Sequence, residues 1–187
     1  HNKEEKAPIL VARMLEGKSV ALVSDAGTPG ISDPGYFLIN LAIDQKIPVI
    51  PIPGATAAIA ALSISGLPTD RFVFEGFLPA KHMARIKRLQ EIVDEERTII
   101  FYEAPHKIIK TVEDMLEVFG DRSAVITREL TKVYEETIRG TLSAVLKRLH
   151  EGTIKGEFTI IMHGASAEPM KQDIDTAEYL KNLMLHR

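Results

Sequence analysis

The sequence predicts an α/β protein of two domains, with mixed, mostly parallel sheets covered by helices. Two observations lead there. Short apolar or β-branched runs alternate with segments of helical period along the whole chain, and turns rich in Gly and Pro separate them. The composition is that of a globular protein: 187 residues, 45% hydrophobic and 26% charged.

Taken in order, PILVARMLEG has helical spacing and stops at Gly17, and SVALVSD is a β-branched strand ending at Asp25. The loop SDAGTPGISDPG, Ser24 to Gly35, leads into the helix PGYFLINLAIDQ, where Asp33 before Pro34 is the expected start signal. PVIPI is the next strand and GATAAIAALSISG a helix of small residues. GLPTD, Gly66 to Asp70, punctuates the chain, which divides there into domains 1–67 and 68–187. Then come RFVFEGF (strand), ARIKRLQEIVDE (helix), TIIFYEA (strand), HKIIKTVEDMLEVFG (helix), SAVITREL and VYEETIRGT (strands), SAVLKRLHEG (helix) and EFTIIMHG (strand). A polar linker and a terminal helix close the chain. In such a fold ligands sit at the carboxyl ends of strands.

Composition narrows the function. No apolar run reaches the roughly 18 residues of a membrane helix, and no signal peptide opens the chain, so the sequence reads as cytoplasmic with no membrane partner. The absence of Cys fits a reducing compartment and excludes thiolate metal sites and Cys nucleophiles. A net charge of −3 argues against a uniformly basic nucleic-acid wrapper and leaves room for a local basic patch.

The loop AGTPG asks for a chemical reading. Gly27 and Gly30 strip side chains from a crest at the end of a strand, where a ligand can touch backbone N–H and C=O groups. A tight turn needing glycine for its own geometry is the plainer alternative. The loop lacks both GKS/GKT and GxGxxG, so a nucleotide phosphate is not the expected ligand. PIPGATAA repeats the pattern after the next strand, with Thr56 and Ala57 opening a helix, and the two loops suggest one shared pocket. Thr56 can also serve simply as a helix-start hydroxyl.

Together, VALVSDAGTPGISDPG, PIPGATAAIAALSISGLPTDRFVFEGFLPAK, IIFYEAPHKI, ITRELTKVYEE and GEFTII resemble the family of small-subunit ribosomal RNA methyltransferases within the tetrapyrrole methylase superfamily. The match runs in order and spacing from about Gly17 to Gly164. The resemblance implies S-adenosylmethionine bound in a cleft between two α/β domains, a homodimer, no metal, and 2'-O-methylation of a cytidine in the decoding region of ribosomal RNA. It places cofactor contacts at Ala26, Gly27, Thr28, Ile31, Thr56, Ala57, Glu103 and Leu130, with Thr28 standing where many relatives have Asp. The family pattern also includes an N-terminal strand and loop near TPIGNL and an AEDTR segment, which this sequence does not contain. The resemblance therefore implies a first domain short of its first strand and helix and little transfer by these residues alone.

A ribose hydroxyl is a weak nucleophile, so a general base is expected. Glu103, His106, Arg128 and Glu129 stand near strand ends and are the candidates, although Glu103 and Glu129 can equally cap helices or pair with Arg128. For RNA, AKHMARIKR gathers Lys81, Arg85, Lys87 and Arg88, and Lys81, Arg85 and Arg88 share a helical face suited to phosphates. A solvated helix face is the ordinary use of such a run. A tetrapyrrole methylase, or a binding module without catalysis, are the competing readings.

Overall fold

The computed structural model describes residues 3–165, so the expected terminal helix lies outside the described residues. The chain divides into two compact units, His1–Ile64 and Ser65–Arg187.

The first unit opens with α1, Lys3–Leu15, which packs on α2, Tyr36–Asp44, through the buried Ala7, Val11 and Ala42. Gly17, at φ 85°, ends α1: its N–H donates to the Met14 carbonyl at 2.9 Å and the Lys18 N–H to the Arg13 carbonyl at 3.1 Å. That is the glycine-terminated closure anticipated from sequence. α2 starts later than expected. Gly35, at φ 146°, occupies the N-cap position with no side chain capping the helix, so Asp33–Pro34 belongs to the loop. The last helix of this unit, α3, spans Ala57–Ser65.

Two expected strands are corrected here. SVALV and PVIPI carry no ladder, and among the described residues the first unit holds no strand. Val23, Ile50 and Ile52 are 80%, 77% and 83% exposed. A β-branched run records preference for an extended path, but a strand exists only once a neighbour accepts its hydrogen bonds.

The second unit is a five-stranded sheet with helices between its strands. In chain order it contains β1 (Phe72–Phe77), α4 (His82–Glu91), β2 (Thr98–Glu103), α5 (Ile108–Phe119), β3 (Ser123–Arg128), β4 (Glu136–Thr141), α6 (Leu142–Glu151) and β5 (Phe158–Met162). All eight were legible as periodic segments. The spatial order is β1-β2-β5-β3-β4.

The sheet is mixed, as expected, but not mostly parallel. Only β1 and β2 pair in parallel; β2 with β5, β5 with β3 and β3 with β4 are antiparallel. The short connection from β3 to β4 forces a hairpin, because a parallel return needs a crossover of a dozen residues or more. β5 then slots between β2 and β3 and runs against both. Those two consequently point the same way, and their carboxyl ends share one sheet edge.

One face of the sheet is covered by helices. Ile99, Phe101, Ile126 and Ile160 meet Leu89 of α4, Ile108, Val112, Met115 and Phe119 of α5, and Leu142, Val145 and Leu149 of α6. Each such side chain contributes about 1.5–3 kcal/mol by leaving water. On the other face Ile100, Val125 and Ile161 are buried too. Burial on both faces explains why these strands read as continuous apolar runs rather than alternating ones.

Candidate functional site

In the first unit, Ser24–Gly35 folds on itself through local bonds. The Ser24 hydroxyl donates to the Ala26 carbonyl at 2.6 Å, and the Ile31 N–H to the Thr28 carbonyl at 3.2 Å, around Pro29 and a left-handed Gly30. Pro then Gly at the centre is the composition of a type II turn. A Cβ on Gly35 would lie 2.6 Å from Leu22 Cδ2 and 3.3 Å from the Gly30 nitrogen, so Gly35 is bare because the chain passes there.

Gly27 is different. Its φ is 71°, yet nothing stands within 4 Å of the place a Cβ would take. The space over this crest is open. The Thr28 hydroxyl donates to the Ala55 carbonyl at 3.4 Å and ties the crest to the second loop. Thr56 follows half-buried, its carbonyl accepting the Ala60 N–H at 3.0 Å as α3 begins, with Ala57 exposed beside it. Ala26 is exposed and Ile31 is 53% exposed. These loops offer neutral backbone groups and an apolar side chain between Asp25 and Asp33, a surface that suits a neutral or cationic ligand better than a phosphate.

In the second unit, the ladder sets Glu103, Phe158, Arg128 and Glu136 in one row across β2, β5, β3 and β4. Glu103 is buried, and both its oxygens are engaged: Oε1 accepts the Ala104 N–H at 2.8 Å and Oε2 the Thr111 hydroxyl at 2.6 Å. Its carboxylate latches the turn from β2 to α5. Arg128 donates from Nη1 to the Thr153 carbonyl at 3.1 Å, and its Nη2 lies 3.0 Å from Glu136. His106 is exposed in the turn before α5.

Glu129 sits just past β3 with a left-handed φ of 48°. Its Oε1 accepts the Glu157 N–H at 2.9 Å and the Lys132 ammonium at 3.0 Å. The Glu157 N–H first, and Lys132 after it, hold this carboxyl below its usual range. A depressed carboxyl contributes stability above its unfolded value, and that contribution is lost as pH falls through the folded one. The Glu157 amide is therefore expected to stay protected from hydrogen exchange somewhat below pH 4.5, the ordinary glutamate value, and to lose protection in stronger acid. Loss of protection already above that pH would contradict the contact.

The structure thus gathers Glu103, Arg128 and Glu129 at one sheet edge: both Glu103 oxygens and Glu129 Oε1 are committed to neighbours, whereas Arg128 Nε is buried without a hydrogen-bond partner among the described residues. Sequence reasoning did not single out Thr111, Lys132, Gly156 or Glu157. The last three lie in the quoted segments RELTK and GEF, and the signal was that GEF, though part of the resemblance, had no assigned contact.

The basic segment looks different from the expected phosphate face. Arg85 is 4% exposed and turned inward, its Nε donating to Asp114 at 2.6 Å. Arg88 binds Glu75 through Nε and Nη2 at 2.9 Å each and Glu91 through Nη1 at 3.0 Å, and these carboxylates raise its pKa. Both cations are compensated. Lys81 and Lys87 are exposed.

Comparison with known proteins adds identity to this geometry. Residues 1–146 match the family model of tetrapyrrole (corrin/porphyrin) methylases. The ribosomal RNA small subunit methyltransferase I of Synechocystis sp. is 49% identical over 98% of this chain and 67% of its own length. That of Halalkalibacterium halodurans is 52% identical over 88% of this chain and 57% of its own. The chain thus spans 57% to 67% of the length of these two relatives. Among solved structures, a cobalt precorrin-4 methyltransferase of cobalamin biosynthesis aligns with a TM-score of 0.62 at 17% identity, over 87% of this chain and 71% of its own. A uroporphyrin-III C-methyltransferase from Thermus thermophilus complexed with S-adenosylhomocysteine aligns at 0.57 and 16% identity, over 86% and 73%. At such identities these two structures speak for the fold.

Proposed function

Because the chain belongs to the tetrapyrrole methylase family, in the group named ribosomal RNA small subunit methyltransferase I, we propose that it serves S-adenosylmethionine-dependent methylation of small-subunit ribosomal RNA. The acceptor in this reading is the 2'-hydroxyl of a cytidine in the decoding region, and the protein works in the cytoplasm as a homodimer. The observation that carries the reading is 49% identity to an rRNA methyltransferase over nearly the whole chain, against 17% to a tetrapyrrole enzyme of the same fold.

The open crest over Gly27 fits the cofactor. Ala26, Gly27 and Thr28 would meet it with backbone groups, Ile31 with apolar surface, and Thr56 and Ala57 from the second loop. On the second unit the main chain at Glu103 and Leu130 is the proposed contact. The cofactor supplies a sulfonium methyl that is already electrophilic. What this chain's residues then have to do is align an oxygen behind that methyl and keep water out. Glu103 serves this as scaffolding, because both its oxygens are spent on Ala104 and Thr111, while Glu129 is held in place through Oε1 by Glu157 and Lys132.

Transfer of labelled methyl from S-adenosylmethionine to small ribosomal subunits, with a porphyrinogen in parallel, tests the reading. Label on ribosomal RNA at a cytidine ribose is expected. Label on the porphyrinogen alone would overturn it in favour of a tetrapyrrole methylase, and cofactor binding with no transfer to either would favour a binding module.

RNA contact is proposed to rest on the uncompensated cations. Lys81→Glu with Lys87→Glu is expected to flatten the log–log salt dependence of subunit binding by roughly 0.7–0.9 per lost phosphate contact. Cofactor affinity should stay unchanged. A filter-binding series with an unaltered slope would return the segment to an ordinary solvated face.

A further inference from the structure

The turn after β3 carries strain that the hairpin itself does not require. The Lys132 N–H donates to the Glu129 carbonyl at 3.0 Å, closing a turn with Leu130 and Thr131 at its centre. Thr131 has φ 64° and Glu129 has φ 48°, so Leu130 is flanked by two left-handed residues, neither of them glycine. For a β-branched residue this conformation is an outlier, and it persists only where the surroundings over-determine it.

The surroundings do so, and they come from the turn itself and from Gly156 and Glu157 just before β5. Glu129 and Glu157 exchange backbone and side-chain bonds: the Glu129 N–H donates to the Glu157 carbonyl at 3.0 Å, and the Glu157 N–H to Glu129 Oε1 at 2.9 Å. The Lys132 ammonium bridges both carboxylates, at 3.0 Å and 2.9 Å. Gly156, at φ 87°, leaves the room that Glu129 fills, since any Cβ there would fall on the Glu129 side chain. The Thr131 N–H is held by Glu135 at 2.5 Å.

We propose that Glu129, Lys132, Gly156 and Glu157 form a lock that fixes Leu130 between two left-handed residues and so presents its main chain, preformed, to the cofactor; Lys132 is its positioning residue. The proposal rests on the reading of Leu130 as a cofactor contact. Its place supports that reading, for Leu130 stands at the carboxyl end of β3, on the edge where β2 also ends at Glu103. β3 and β4 are already paired up to Arg128 and Glu136. A connection with no further duty would not need residues held in a costly conformation. Preforming a binding backbone removes the cost of ordering it when the ligand arrives.

The test is Lys132→Met, which keeps the stem and removes both ion pairs, with Lys132→Arg as rescue and S-adenosylhomocysteine as the calorimetric probe. Binding roughly tenfold weaker is expected in Lys132→Met and largely restored in Lys132→Arg. The melting temperature should move by less than about 4 °C, because exposed ion pairs stabilise little. A lower melting temperature with wild-type affinity would make the lock purely structural and overturn the proposal. Wild-type affinity with an unchanged melting temperature would overturn it as well. Failure of the unmutated protein to bind the probe would instead strike the cofactor reading on which this rests.

Discussion

Asp114→Ala is expected to lower the stability of the second unit by about 3–5 kcal/mol, the largest single loss among the polar groups discussed. Asp114 lies on α5 and its Oδ2 takes the Arg85 Nε at 2.6 Å, with both side chains less than a tenth exposed. The remaining contacts of that guanidinium, to the carbonyls of Ala80 at 3.3 Å and Pro79 at 3.5 Å, are long and neutral. His82 stands 3.3 Å from the same carboxylate, but an imidazole is neutral or cationic and so offers Arg85 no negative charge in place of Asp114. Removing the acid therefore leaves a buried cation without its partner. A urea titration checks this, and a loss below about 1 kcal/mol would sink it. Arg85→Met with Asp114→Leu provides the contrast: replacing the whole pair by apolar side chains is expected to cost little, since desolvation of both charges is avoided. The same geometry bears on RNA. Arg85→Glu would set a carboxylate against Asp114 inside the fold, so weaker RNA binding by that variant would report unfolding.

The misplacement of Arg85 shows what sequence spacing conveys and what it leaves out. Lys81, Arg85 and Arg88 do fall on related positions of one helix, but spacing does not say which way the face turns. Arg85 shares the buried stripe with Leu89, four residues on, and its partner is 29 residues away in sequence. The central strands β2, β3 and β5 were legible because burial on both faces writes apolar runs. Their directions were not, because the place of β5 between β2 and β3 is settled by pairing between segments far apart. In the first unit SVALV and PVIPI carry the right residues without a ladder. In the loop, the bare crest at Gly27 was readable as a run of small residues. The division of labour among its glycines was not: Gly30 and Gly35 serve the loop's own path, and only Gly27 faces open space. The lock around Glu129 needed the structure too, since β5 alone brings Gly156 and Glu157 to it.

Gly27→Val is expected to weaken S-adenosylhomocysteine binding by more than about a hundredfold, or roughly 2.8 kcal/mol. A branched side chain would occupy the open volume over the crest and keep a ligand from the backbone, where each lost contact costs about 1–3 kcal/mol. The mutation also forces a β-branched residue to φ 71°, which by itself costs about 1–2 kcal/mol. That second cost must be separated from the first. Gly17 supplies the control, for it has φ 85° and equally open space, and its place is the end of α1 rather than the loop. Gly17→Val should therefore lose a similar amount of stability with cofactor affinity intact. If both variants bind alike, the glycine at position 27 serves the turn and not a ligand, and the cofactor assignment for Ala26, Gly27 and Thr28 fails with it. If only Gly27→Val loses binding while the two melt together, strain is excluded as the cause and steric access to the backbone remains.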